Sequence, residues 1–97
     1  MPLESAIEAR AVKELAKLGY PAIKVGFDGW PDRCVLYAPE RCIWLEFKQP
    51  TGAKRKSQSI RARELRRIGH EVHFPDSWKD AVGLVAKARR QYDAQKA

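Results

Sequence analysis

The 97-residue sequence has no apolar run near the ~20 residues that a membrane-spanning helix requires. It holds two cysteines, Cys34 and Cys42. They do not form a C-x-x-C pair, and no Asp, Glu or His stands around them at zinc-ligand spacing. Two small, largely apolar thiols in strands of a protein kept in a reducing compartment are the simplest expectation. The opening MPLESAIEAR has no charged n-region followed by an apolar h-region, so no secretory leader is expected and the expected location is cytoplasmic. Repeats and low-complexity tracts are missing, which excludes solenoids and compositional linkers. Acidic residues are also in short supply: 12 Asp+Glu stand against 19 Lys+Arg, a net charge of +7. So large an excess on so small a body makes a polyanion the expected partner, nucleic acid before an acidic membrane surface.

What is present suits one α/β domain spanning 1–97 around a single core. Residues 3–18 repeat apolar side chains at helical spacing, with Leu3, Ile7, Ala11, Leu15 and Leu18 on one stripe and Gly19 as a stop. Strands are expected over 20–27, 32–38 and 42–48, the last two forming a hairpin through Ala38-Pro39-Glu40-Arg41. A basic loop follows over 49–56, a helix from about 57 to 68, and a short strand over 71–74. Ser77 is a candidate N-cap for a C-terminal helix whose face is Trp78, Ala81, Val82, Val85, Ala88 and Tyr92. Its polar tail is expected to fray. The order is αβββαβα with a mixed sheet.

The stretch Ile43-Trp44-Leu45-Glu46-Phe47-Lys48 carries the chemistry. Alternation along a strand sends Ile43, Leu45 and Phe47 to one face and Trp44, Glu46 and Lys48 to the other. Taken alone, Glu46 and Lys48 make an ordinary salt bridge. Asp32, however, opens the neighbouring hairpin strand directly after Gly29-Trp30-Pro31. Adjacent strands lie about 5 Å apart, so Asp32 and Glu46 both reach one cation. Glu8 stands seven residues before Leu15, nearly two helical turns, and so points inward; Glu4 leans the same way one turn earlier. Gln58, seven before Leu65, faces inward from the start of the second helix. Lys24, Arg33, Lys54, Arg55, Lys56, Arg61 and Arg66, joined by Arg63 and Arg67, form a cationic surface suited to a phosphate backbone. Trp30 either stacks on a base or covers the core. His70 and His73 read as surface or structural histidines, and Trp44 and Trp78 as packing.

The motifs Gly29-Trp30-Pro31-Asp32 and Glu46-Phe47-Lys48, preceded by the inward Glu8 and followed by Gln58, resemble the VRR-NUC group of the PD-(D/E)XK nuclease superfamily. The resemblance runs from about residue 4 to 76. It implies a restriction-endonuclease-like αβββαβ core over about 3–76, with the C-terminal helix over about 77–95 added to it. It further implies Mg²⁺ or Mn²⁺ held by Asp32, Glu46, the Phe47 main-chain carbonyl and Glu8, with Lys48 and Gln58 completing the catalytic set. Lys48 would orient or activate water, or neutralise charge; the residues leave these roles open, as they leave open Glu4 in place of Glu8. Stand-alone members of this size, often phage-encoded, imply a homodimer acting on branched DNA, a four-way junction or flap, in a bacterial or phage-infected cell. No small-molecule cofactor and no membrane partner are expected. A non-enzymatic basic binding module and an RNA-cleaving enzyme are the competing readings. A pure binder, though, gains nothing from gathering carboxylates beside a polyanion.

Overall fold

A computed structural model describes residues 3–49 and 60–96 of the chain. The order αβββαβα is observed. Helix α1 (Glu4–Lys17) buries Ile7, Ala11 and Leu15, while Leu3 and Leu18, at the two ends of the expected stripe, lie exposed beyond the reach of the sheet. Gly19 takes φ +87°, and the N–H groups of Gly19 and Tyr20 return to the carbonyls of Ala16 and Leu15, which closes the helix end.

The strand expected over 20–27 is much shorter: β1 is Ala22–Lys24. Pro21 has no N–H to donate, and Gly26 at φ +74° turns the chain away from the sheet. Strands β2 (Arg33–Ala38) and β3 (Arg41–Leu45) form the expected hairpin, closed by Pro39 and Glu40, the latter at φ +61°. A register shift lies between Leu36 and Ala38. Helix α2 is Ile60–Arg67; residues 57–59, the first of the expected helix, fall outside the described segments. Strand β4 (Glu71–His73) leads through Pro75 to Ser77, whose hydroxyl accepts the Asp80 N–H at 3.0 Å. Helix α3 (Trp78–Lys96) follows, and its polar tail is helical to Lys96.

The sheet order is β1-β2-β3-β4, antiparallel except for the parallel β3–β4 pair. Both of its faces carry helices. On one, α1 and α3 enclose Val35, Tyr37, Ile43, Leu45 and Phe47, so α3 belongs to the main core and is no appendage. On the other, α2 covers a smaller cluster of Ala62, Leu65 and Val72, with Trp30, Trp44 and Phe74 packed on it. Among the described residues no helix is long and apolar enough to cross a membrane.

Candidate active site

The hairpin register sets up the site. Arg33 pairs with Leu45, so the next rung of the same kind would join residue 31 to Phe47. Residue 31 is proline and has no N–H for the Phe47 carbonyl. The Phe47 N–H, which that rung would send to the residue 31 carbonyl, goes to the Asp32 side chain, whose Oδ2 accepts it at 2.8 Å. The β2–β3 ladder therefore ends one rung early, and Asp32 is held beside the main chain of residue 47. On its other side the chain stays anchored: Glu46 N–H donates to the His73 carbonyl at 2.9 Å, and Lys48 N–H to that of Pro75 at 3.0 Å. Strand β3 thus stops at Leu45 rather than at 48. Alternation continues past it all the same, with Phe47 fully buried and Glu46 and Lys48 half-buried on the opposite side.

A cleft of about 230 Å³ opens at this frayed end, lined by Glu4, Gly29, Trp30, Asp32, Glu46, Phe47 and Lys48. Lys48 Nζ lies 2.6 Å from Glu46 Oε2 and faces the Phe74 ring at 5.8 Å. Burial pushes the Asp32 carboxyl above the ordinary carboxylate value. The Phe47 N–H opposes that rise, the negative charges of Glu8 and Glu46 add to it, and Lys48 pulls against it. Asp32 thus lies within electrostatic reach of two carboxylates and one ammonium.

Glu4 and Glu8 take different positions. Glu4 lines the cleft. Glu8 Oε2 accepts from Arg33 Nε at 2.6 Å, both side chains being about four-fifths buried, and Arg33 Nη1 also donates to the Ala22 carbonyl at 3.1 Å. Arg33, expected among the phosphate-binding cations, is instead paired within the protein. A cation one residue beyond the Asp32 turn, facing an inward glutamate, was the available signal. Two further members of the expected cationic surface are also engaged within the protein. Arg61 bonds Glu64 at 2.8 Å and lies over Trp30 at 4.7 Å, and Arg66 donates to the Val72 carbonyl. Lys24, Arg63 and Arg67 are exposed. Lys54, Arg55, Lys56 and Gln58 lie outside the described residues.

Of the two possibilities for Trp30, packing is what is observed: its ring lies 5.7 Å from that of Trp44. Trp44 and Trp78 pack as expected. His73 meets Glu71 at 3.2 Å on the surface, and His70 is exposed. Cys34 and Cys42 are unbridged. Burial, followed by the neighbouring Cys42, pushes the Cys34 thiol up to about 12, which keeps it protonated at neutral pH.

Two carboxylates and a main-chain carbonyl with no proline N–H to meet it are hard oxygen donors of the kind Mg²⁺ and Mn²⁺ take. Among the described residues no three carboxylate, imidazole or thiol groups already converge as a ligand set. Each is held by a local partner: Asp32 by the Phe47 N–H, Glu46 by Lys48, Glu8 by Arg33. The donor chemistry fits a hard divalent ion, and full convergence requires Glu46 to exchange Lys48 for it. In comparisons with known proteins, the chain matches no family model, no curated protein and no solved structure.

Proposed function

We propose that this protein is a metal-dependent, structure-selective DNA endonuclease that hydrolyses phosphodiester bonds in branched DNA. The observation that carries the reading is the cleft at the end of the β2–β3 ladder. There Asp32, Glu46, Phe47 and Lys48 come from adjacent chain segments and Glu4 from α1. The resemblance of Gly29-Trp30-Pro31-Asp32 and Glu46-Phe47-Lys48 to the VRR-NUC motifs supports it.

Asp32, Glu46 and the Phe47 carbonyl would hold Mg²⁺ or Mn²⁺, with Glu4 the helix carboxylate that lines the same cleft. The ion, when bound, polarises the phosphoryl group and lowers the pKa of a coordinated water. The chain's own contributions are positional. The Phe47 N–H fixes Asp32. Lys48 brings positive charge to the wall where a phosphoryl oxygen would gain negative charge, and it can orient a water there. Gln58, from the expected inward face of the second helix, completes the set the motif implies. Net charge +7 draws the polyanion to the surface. Homodimerisation fits a two-fold DNA junction, and a cytoplasmic location fits the substrate.

The test uses labelled four-way junction, flap, duplex and RNA substrates with Mg²⁺, Mn²⁺ or EDTA. Wild type should cleave a branched DNA only with metal. Asp32→Ala and Lys48→Ala should each lose at least ~100-fold of the rate. Cleavage that persists in EDTA and in both variants would rule out this site.

A further inference from the structure

One aromatic side chain breaks the pattern of the rest. Phe27 is 71% exposed, and among the nine aromatic residues, all of which lie in the described segments, it alone is exposed. It stands in the β1–β2 connection, between Gly26 at φ +74° and Gly29 at φ +82°. A Cβ at either glycine would meet nothing within 4 Å, so both serve the backbone's direction and not close packing. The two left-handed residues reverse the chain on either side of Phe27 and Asp28 and leave both outside. The connection is pinned as well: Trp30 N–H donates to the Phe27 carbonyl at 3.2 Å, and Val25 N–H to that of Asp32 at 3.1 Å. Its far end supplies Gly29, Trp30 and Asp32 to the cleft wall. The loop therefore holds an apolar ring in water, on a backbone tied by two hydrogen bonds and two residues before Gly29 of the cleft wall. Trp30 is already engaged within the protein, tilted against Trp44 at 5.7 Å with Arg61 4.7 Å from its ring.

We propose that Phe27 is a base-stacking residue that engages an unpaired base next to the phosphodiester in the cleft. This rests on the nuclease reading and narrows its substrate class to strands with an unpaired nucleotide beside the cut, as at a flap or a single-stranded end. Every base presents a π-face, so such a contact selects for unpaired structure without reading sequence. Paired bases keep their faces in the stack and offer the ring nothing.

The experiment measures binding in EDTA, so that nothing is cut, with a flap carrying 2-aminopurine at its first unpaired position and with a fully paired duplex of the same sequence. Wild type should prefer the flap and change the 2-aminopurine fluorescence on binding. Phe27→Ala should lose about tenfold in flap affinity, and the fluorescence change with it, while duplex affinity and melting temperature stay at the wild-type value. Phe27→Trp should restore both flap signals. Equal affinities of Phe27→Ala and wild type for the flap, or an equal loss on flap and duplex, would overturn the proposal. Flap binding with the fluorescence change but no cleavage in Mg²⁺ would sink the nuclease reading and leave the stacking contact standing. No binding of any oligonucleotide by wild type would overturn both.

Discussion

The two faces of the sheet are built on the same strands and do different work. The face under α1 and α3 is dry: Val35, Ile43, Leu45 and Phe47 are essentially inaccessible, and the helices add Ile7, Ala11, Leu15, Ala81 and Val85. The face under α2 has a much smaller apolar cluster. Its margin is polar and aromatic, with Trp30, Trp44 and Phe74 set against Arg61, Arg66 and Lys48. A single alternation along β3 creates both. The lesson is that the site sits at the seam. Phe47 roots one side in the core, and its two neighbours, Glu46 and Lys48, turn to the other, so the groups of the candidate site gain rigidity from a core they do not enter.

Truncation breaks the contrast most forcefully. Phe47→Ala should cost about 3–5 kcal/mol, and Leu65→Ala, in the smaller cluster beneath a two-turn helix, about 2 kcal/mol. Denaturant unfolding of the two variants checks this, and equal losses would mean that the faces share one core. The pair that joins α1 to the first two strands comes next. A double-mutant cycle on Glu8→Gln and Arg33→Met should give a coupling of about 1–2 kcal/mol. If Glu8 acted instead as a metal ligand equivalent to Asp32, Glu8→Gln would abolish Mn²⁺ binding in calorimetry as fully as Asp32→Ala does. The smallest effect concerns Asp32 itself. Its native carboxyl holds a proton more tightly than the unfolded chain does, first because it is buried. Below the ordinary carboxylate value near 3.9 both states are protonated and nothing is lost. As pH rises through the unfolded and then the native value, the ionised form is disfavoured in the fold and stability falls. Asp32→Asn should therefore melt a few degrees higher than wild type at neutral pH without metal. That gap should close as pH drops below about 4.

Much of this was legible in the sequence because periodicity reports burial directly. The alternation of 43–48 gave the two faces, the helical spacing of Ile7, Ala11 and Leu15 gave the core side of α1, and Ser77 gave the start of α3. Asp32 and Glu46 were brought together by the hairpin, a local element whose register is set by a two-residue turn together with the shift between Leu36 and Ala38, which the sequence does not announce. Longer-range partners escaped. Arg33 reads as a surface cation until the fold brings it to Glu8, 25 residues away. Arg61 and Arg66 likewise spend their charge on Glu64 and on a strand carbonyl. The early end of β1 depends on Gly26 adopting a positive φ, which the residue permits but does not dictate. Glu4 lines the cleft while Glu8, one turn on, pairs with Arg33, a difference set by α1's docking that periodicity does not encode.

The short β2–β3 hairpin has a consequence for the order of folding. Asp32 and Glu46 are separated by one tight turn, and hairpins close in microseconds. Helix α1 meets α3, from the far end of the chain, only through contacts of high sequence separation, which form more slowly. The hairpin half of the candidate site is thus assembled while the helix that brings Glu4 is still undocked. A refolding time course should show the Asp32–Phe47 amide protected from exchange before the amides of the α1–α3 contact.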